Sequence, residues 1–398
     1  MLNAAILLTT VAVLGALMLP RIADARLWRA TVTPLASIIG SGFLVLGPIL
    51  DDSYGLFAPA VMAALCLGAW AFGSAIRFNI ARIDLTEEGR SRPEKILEQA
   101  TSWALSFAYI ISVAYYLNLF GAFAVSLTTY NSPTAAKEMT SAVFLLVLVV
   151  GWTRGFGALE RMEQISVSVK LAIILGLLVG LAQYFARQAG AGTLVLNPPR
   201  LTGWPAVTLA FGLIVTVQGF ETTRYLGAVY DARTRIRAMR LAQLLATLIY
   251  MVYIGLLAYA FPASHMALNE TAIIQLMELV APILPVLLVA AALSAQFSAA
   301  VADTGGSGGL VAELTRGRIS TRQAYAGLVA VGLVLTWTAN VFEIISYASR
   351  AFAAYYALQA AIAAVGARQM PGGGRLAMRF AALALLGVAI VIFGVPVE

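Results

Sequence analysis

Runs of apolar residues separated by short polar connections cover nearly the whole chain. A helix of about 20 residues crosses a hydrocarbon core of about 30 Å, and most of the runs reach that length. The pattern therefore predicts an all-α polytopic membrane protein with twelve transmembrane helices. The predicted spans lie near residues 2–20, 31–50, 54–80, 99–129, 138–153, 156–186, 203–229, 236–262, 279–305, 321–338, 341–366 and 376–394.

The composition agrees with this interpretation, because 61% of the 398 residues are hydrophobic and only 11% are charged. So apolar a composition is that of a membrane protein, whose first partner is the lipid bilayer. The net charge of +7 could indicate an anionic partner. In a membrane protein it reflects basic cytoplasmic loops, so we expect no nucleic-acid partner.

Lysine and arginine are concentrated in every second connection between the predicted spans. Twenty of them lie in or beside these connections, whereas the alternate connections hold only Lys137, Arg187 and Arg200. Basic loops remain on the cytoplasmic side. The pattern predicts a multi-pass protein of the cell (inner, cytoplasmic) membrane with both termini outside.

The first apolar run could instead be a secretory signal peptide, since the sequence Ala-Asp-Ala at 23–25 resembles a cleavage site. A signal peptide has its basic residues before the apolar run, whereas Arg21, Arg26 and Arg29 follow this one. The order favours an uncleaved helix.

The ten spans between the first and the last form two sets of five, displaced by about 170 to 185 residues. Because five is odd, the second set enters the membrane from the opposite face, which is the inverted repeat of many secondary transporters. We predict an extra helix, two repeats and a final helix, over residues 1–22, 29–186, 203–366 and 376–398.

The helix that opens each repeat is interrupted by glycine. The first interruption lies about ten residues, or about 15 Å, from the cytoplasmic end of its span. The two predicted breaks comprise Ile39, Gly40, Ser41 and Gly42 in the first repeat, and Gln218, Gly219, Phe220 and Glu221 in the second.

Unwound backbone inside a membrane leaves polar groups that lipid cannot satisfy, so it survives only around a polar cavity. The start of a half-helix offers donors to an anion, and freed carbonyls suit a cation. We therefore predict that the two breaks form the substrate site. The alternative is that the small residues only allow close packing of helices.

Three segments resemble the amino acid-polyamine-organocation (APC) superfamily of transporters. The segment IIGSGFLVLGP at 38–48 is similar to the family's first-helix signature, and QGFETTRYLGAVYD at 218–231 to its sixth-helix motif. The segment at 158–180 is similar to the fifth core helix. The resemblance implies a LeuT-type fold, with an amino acid or amine bound between core helices 1, 3, 6, 8 and 10. Arg224, below the second break, departs from the family pattern.

Lys170 lies within an apolar stretch of the fifth core helix, on one helical face with Glu163. The resemblance implies that this lysine takes the place of sodium in proton-coupled relatives. A lysine held away from water can lose and regain its proton, so we predict ion coupling here, assisted by the hydroxyls of Ser294 and Ser298. The alternatives are a lysine that reaches the cytoplasm or pairs with Glu163, and serines that only pack.

Two further pairs of charges lie inside predicted spans. Glu221 and Arg224 are one turn apart, and Glu343 and Arg350 share a helical face. Ionisable groups at such depths face a cavity or one another. We predict two structural ion pairs, and as an alternative an arginine that neutralises an acidic substrate.

Aromatic residues and the longest charged stretch complete the candidates. Tyr115, Tyr116 and Tyr347 are predicted to line the substrate site, although tyrosines in such helices also serve packing. The carboxylates of the cytoplasmic stretch at 81–99 are predicted to be surface charges.

Enzymatic functions are poorly supported. One cysteine, Cys66, and one histidine, His265, exclude a cysteine cluster and a histidine-based metal site, and the sequence shows no Walker loop or nucleophile elbow. We therefore expect no enzyme, no cofactor and no metal centre.

The interpretation that follows is a secondary active transporter that moves an amino acid or related small amine or organic solute by alternating access. Proton coupling or exchange is favoured. The alternatives are a sodium-coupled symporter of the same fold and a channel or sensor that does not cycle.

Overall fold

The computed structural model describes residues 2–40, 42–83, 91–153, 160–262 and 268–397. These residues form helices and connections, with no strand among them. The α-helices are α1 (Leu2–Met18), α2 (Pro20–Ala23), α3 (Arg26–Gly40), α4 (Phe43–Tyr54), α5 (Ala58–Ile83), α6 (Arg92–Ser126), α7 (Pro133–Thr153), α8 (Glu160–Ala191), α9 (Gly203–Gly212), α10 (Ala232–Leu257), α11 (Ala272–Val280), α12 (Leu284–Leu314), α13 (Thr321–Thr338), α14 (Val341–Arg368) and α15 (Gly374–Phe393).

Helix is present in every one of the twelve predicted spans, but the bounds differ. Helix α6 begins seven residues before the span predicted at 99–129. Helix α11 is a short helix that the apolar pattern did not predict. Within the described residues, seven helical stretches are long and apolar enough to cross a membrane. They are Phe43–Arg82, Arg92–Ser126, Pro133–Thr153, Ser166–Ala191, Ala232–Leu257, Leu284–Leu314 and Gly374–Phe393.

Three long helices begin with a capping box, in which the capping side chain and the third helical residue satisfy each other's backbone groups. Ser91 and Glu94 cap α6, and Ser320 and Gln323 cap α13. Asn340 caps α14, where its Oδ1 accepts from the Glu343 amide. These contacts fix the first residue of each helix.

Both predicted breaks are present. Helix α3 ends at Gly40 and α4 begins at Phe43. Helix α9 ends at Gly212, and 3₁₀ turns over Ile214–Val217 and Phe220–Ala228 flank two residues that are not helical.

The residues that flank the two breaks are buried in the bundle, whereas the first turn of α9 is exposed. Helix α6 packs against α12 and α14, and α10 packs against α3 and α5. Helix α1 packs on α8, where Ile6 of α1 is buried against Gly180. Helix α15 packs on α14, with Gly387 against Ala357. The first and the last helix of the chain, α1 and α15, therefore pack on the outside of the bundle.

Candidate functional site: the two helix breaks

The first break is the carbonyl end of α3, and a lysine lies on it. Lys170 of α8 is only 5% exposed, and its Nζ donates to the carbonyl oxygen of Ala36 at 2.7 Å. A Cβ on Gly40 would lie 3.3 Å from the same Nζ. Ala36 lies four residues before the last residue of α3, close to the negative end of the helix dipole. The ammonium group therefore lies where a cation is favoured.

Helix α12 reaches the same break through Gln296. Its Nε2 donates to the carbonyl oxygen of Gly40 at 3.3 Å, and the side chain is 4% exposed. The sequence interpretation had selected Ser294 and Ser298 on this helix. Each of them lies two residues, or about 200° around the helix, from Gln296. Their part in ion coupling stays a prediction.

The second break is held by its own side chains. Gln218 is extended, and Gly219 has φ 118°. The Gly219 amide donates to Oε2 of Glu221 at 2.9 Å, and the Tyr356 hydroxyl donates to the same oxygen at 2.9 Å. The other carboxylate oxygen of Glu221 and Oε1 of Gln218 are buried without a hydrogen-bond partner in the described part of the chain. This break therefore presents spare acceptors.

The two breaks touch each other. A Cβ on Gly219 would lie 2.5 Å from Oγ of Ser37, and a Cβ on Gly42 would lie 2.7 Å from Cβ of Thr216. The Tyr250 hydroxyl hydrogen-bonds to the carbonyl oxygens of Ile38 at 3.1 Å and Thr216 at 2.7 Å, and so bridges the two broken segments. The structure therefore brings the two predicted segments into one place.

Aromatic side chains surround the breaks. Gln218 Nε2 donates to the Tyr116 hydroxyl at 2.9 Å, and Tyr115 is fully buried beside Tyr116. Phe220 stacks on Tyr356 with 5.2 Å between ring centroids. Two predicted site tyrosines thus lie at or near the second break.

Tyr347 does not lie at the breaks, which corrects its predicted place in the site. The side chain is 39% exposed and lines an apolar surface groove with Phe107 and Val391. It faces outward because α14 turns its buried face, which carries Tyr355 and Tyr356, toward the core.

Ile39, Gly40, Phe43, Lys170 and Gln296 line a cavity of about 20 Å³ at the first break. A single water needs about 10–15 Å³, so the cavity has room for little more than one water. The described residues therefore leave almost no free space at the first break.

Neither predicted ion pair forms. Arg224 pairs with Glu98 of α6, and its Nη1 donates to Oε1 of Gln359 at 3.1 Å. Glu221 is occupied at the second break instead. The expectation that the carboxylates of 81–99 are surface charges is wrong for Glu94, which is 3% exposed and pairs with Arg82 at 3.2 Å.

The second pair is separated along α14. Oε2 of Glu343 accepts from the Asn340 amide at 2.7 Å in the helix cap, whereas Arg350 Nε donates to the Val391 carbonyl of α15 at 2.6 Å. Seven residues of helix span about 10.5 Å, which is too far for an ion pair once both ends have other partners. Ser41 and the side chain of Glu163 lie outside the described residues.

Sequence reasoning missed several buried polar residues. Asp303 of α12 is 6% exposed and accepts from the Ser112 hydroxyl of α6. Asn118 Nδ2 donates to Oγ1 of Thr336 at 2.8 Å. The signal for Asp303 was a single acid in an apolar run, which marks an interior or functional position. Gln296 carried no comparable signal.

No group of three potential metal ligands among His, Cys, Asp and Glu occurs in the portion of the chain that the structure describes. The polar atoms that converge on the breaks are carbonyl, carboxylate, amide and ammonium groups. Such a set suits a small solute with both donor and acceptor groups.

A family model described as "APC superfamily transporter" matches residues 20–394, which is most of the chain and includes both breaks. The chain belongs to the APC superfamily of transporters. A protein of Aquifex aeolicus (strain VF5) described as "Uncharacterized protein" is 40% identical over 345 residues. That match covers 85% of this APC transporter and 84% of the relative. The family membership confirms the resemblance that the motifs at 38–48 and 218–231 indicated.

Proposed function

We propose that this APC transporter is a secondary active carrier that moves an amino acid or related small amine or organic solute by alternating access. The solute binds at the two breaks. Support comes from the contact between the breaks and from the spare acceptors at the second one. Unwound segments of this kind line solute sites at the midplane of secondary transporters.

The proposed layout is a five-plus-five inverted repeat of LeuT type with twelve spans and both termini outside. Helices α3 to α8 form the first repeat and α9 to α14 the second, with α1 before them and α15 after them. Its support is that the opening helix of each repeat is broken, at Gly40–Phe43 and at Gln218–Gly219.

In this proposal the first break binds an anionic group and the second a cationic one. Helix α4 begins at Phe43, so the positive end of its dipole faces the first break. A carboxylate is favoured there. Oε1 of Gln218 and Oε1 of Glu221 are buried acceptors that an ammonium group would satisfy.

The contact of Lys170 with the end of α3 is the observation that carries the coupling proposal. A charged ammonium group stabilises the Ala36 carbonyl and the negative end of the helix, and a neutral amine does so much less. Loss of the proton therefore weakens the tie between α8 and α3. Protonation and the movement of the broken helix are linked in this way.

A thermal-shift screen of the purified protein identifies the solute class. The probes are the twenty common amino acids, small diamines and organic acids, each added separately. A solute that binds only the folded state raises the unfolding temperature, and the rise grows with the logarithm of its concentration over its dissociation constant. Stabilisation by an uncharged sugar, added as a further probe, and by none of the amines or carboxylates would contradict the proposed chemistry of the breaks.

The coupling is tested with Lys170→Ala in proteoliposomes, using the radiolabelled solute from the screen. We expect accumulation driven by an imposed pH gradient to be lost, because the variant has no ammonium group to titrate against α3. Exchange of labelled for unlabelled solute should continue. The control is Lys95→Ala, which removes an exposed lysine. Wild-type accumulation by Lys170→Ala would refute the coupling role.

The same assay distinguishes the proposed carrier from a sodium-coupled symporter and from a channel. Sodium coupling predicts that uptake stops when sodium is replaced by choline, whereas proton coupling predicts that it continues. A channel predicts no acceleration of labelled uptake by unlabelled solute on the opposite side. A carrier predicts such acceleration.

A further inference from the structure

A basic groove that shares no lining residue with the cavity at the first break lies between three helices. It is lined by residues of α5, α10 and α15, and has a volume of about 1040 Å³. This is at the upper end of the range of about 300–1,000 Å³ that small-molecule sites occupy. Its polar and aromatic lining includes Trp70, Arg77, Phe78, Arg240, Arg379 and Phe380.

The three arginines line one groove and lie near the ends of their helices. Arg77 is six residues before the end of α5, Arg240 eight residues after the start of α10, and Arg379 five residues after the start of α15. At 1.5 Å per residue these positions are about 8–12 Å from the helix ends. In the proposed orientation, these ends lie at the cytoplasmic face of the membrane, which places the arginines near the boundary between lipid headgroups and acyl chains.

Arg77 is fixed in place. It is 6% exposed, its guanidinium carbon lies 4.5 Å from the centroid of the Trp70 ring, and its Nη2 donates to the Trp70 carbonyl at 3.2 Å. Its Nη1 donates to Oε1 of Gln243, whose Nε2 donates to the Ala69 carbonyl at 2.8 Å. The groove therefore has a preorganised cation at its base.

No acidic residue lines the groove in the part of the chain that the structure describes. The sequences of α5, α10 and α15 contain no aspartate or glutamate. Arg240 and Arg379 are exposed, and neither forms an ion pair with a residue that the structure describes. The charge of Arg240 acts on Arg77, so the cations repel one another. An anion placed among them would relieve that repulsion.

Part of the groove lining is apolar. Phe78, Leu383 and Leu386 belong to this part, and the groove is open to the surroundings of the bundle. A free anion would contact only the arginines and leave the apolar lining uncovered. An amphiphile with an anionic head and an acyl chain would contact both.

We propose that this groove binds an anionic phospholipid of the cytoplasmic leaflet, with its phosphate among Arg77, Arg240 and Arg379. The sidedness rests on the orientation in the proposed function, since these helix ends adjoin the basic connections. The bound lipid ties α15 to α5 and α10 at the edge of the bundle.

The test is a titration of the purified protein with phosphatidylglycerol and, separately, phosphatidylcholine, read by native mass spectrometry. The double variant Arg240→Gln/Arg379→Gln removes two exposed cations and leaves Arg77 in place. Each basic residue near such a surface contributes about fivefold in affinity, so the variant should bind phosphatidylglycerol about 30-fold more weakly. The wild-type protein should bind phosphatidylcholine far more weakly than phosphatidylglycerol.

The matched control is Arg237→Gln/Arg375→Gln, which removes the same charge from exposed positions of α10 and α15 that do not line the groove. It should retain affinity within about threefold, because these two residues do not line the groove and act on the phosphate only through space, from about one helical turn away. Equal weakening by the two double variants would overturn the proposal. Displacement of the lipid by inorganic phosphate would also overturn it. So would a lipid-free dimer of the wild-type protein that the groove variant no longer forms.

Discussion

At the scale of single residues, Gly219 shows why the second break needs glycine. Its φ of 118° is a conformation that residues with a side chain rarely adopt, and a Cβ would lie 2.5 Å from Oγ of Ser37 and 2.6 Å from the Ile38 amide nitrogen. The position combines an unusual backbone angle with close approach to α3. The glycine in the sequence thus marks the place where two chain segments meet.

We expect Gly219→Ala to destabilise the protein and to abolish solute binding. The backbone conformation alone costs about 1–3 kcal/mol for a residue with a Cβ, and the displacement of Ser37 adds to this. Thermal unfolding in detergent measures the loss. Gly255→Ala on α10 is the control, since its Cβ would meet nothing within 4 Å. Equal melting temperatures of the two variants would show that the backbone at 219 adapts.

At the scale of helices, the Arg224–Glu98 contact ties the 3₁₀ segment after the second break to α6. The Arg224 side chain is 5% exposed and that of Glu98 28%. Gln359 of α14 joins the cluster, and Asn79 Nδ2 of α5 donates to Oε1 of Gln359 at 2.7 Å. Four elements are therefore held together below the breaks, on the proposed cytoplasmic side. Opening toward that side requires these contacts to separate.

The two charges of this pair should not contribute independently to the free energy of unfolding. We expect Glu98→Gln and Arg224→Gln to couple by about 0.5–3 kcal/mol in a double-mutant cycle, because each single change leaves a partly buried charge without its partner. Chemical denaturation in detergent provides the four stabilities.

The control is Arg26→Gln, in a pair with Asp231 whose side chains are 67% and 53% exposed. Exposed pairs contribute about 0–1 kcal/mol, so this change should have little effect. Additive effects of the two changes at 98 and 224 would show that their contact contributes nothing to stability.

The same cluster shows what the sequence could and could not predict. Hydropathy predicted helix in every span, and glycine in two apolar runs predicted both breaks, because these signals are local. The spacing of Glu221 and Arg224 predicted an ion pair along one helix. The tertiary fold instead brings Glu98 from a stretch whose carboxylates were predicted to be surface charges. Gln296 was missed for the same reason, since only packing turns it toward Gly40.

At the scale of the whole molecule, the described residues leave little free space at the first break. The cavity at Lys170 measures about 20 Å³, whereas sites for small molecules occupy about 300–1,000 Å³. In the proposed function, a solute therefore binds at this cavity only after helices move apart. Alternating access requires that they move apart on one side of the membrane at a time. A channel would connect both sides together.

A cysteine reporter distinguishes these possibilities. Ala295 of α12 lines the cavity and is 6% exposed, and Cys66 is buried, so Ala295→Cys in a Cys66→Ala protein provides one thiol at the breaks. We expect a membrane-impermeant thiol reagent to modify it at least about tenfold more slowly than exposed positions, because buried thiols react slowly. Asn131→Cys and Arg318→Cys give the exposed references on the two proposed faces.

Reagent applied from outside should modify Asn131→Cys, and reagent applied from the cytoplasmic side should modify Arg318→Cys, if the basic connections are cytoplasmic. For Ala295→Cys we expect the solute from the screen to raise reactivity from one side and lower it from the other, because a carrier's two open states exclude each other. Adding Glu98→Gln should raise reactivity from the cytoplasmic side, since it weakens the contacts that close that side. Simultaneous rapid modification from both sides would identify a continuous aqueous path and end the alternating-access proposal.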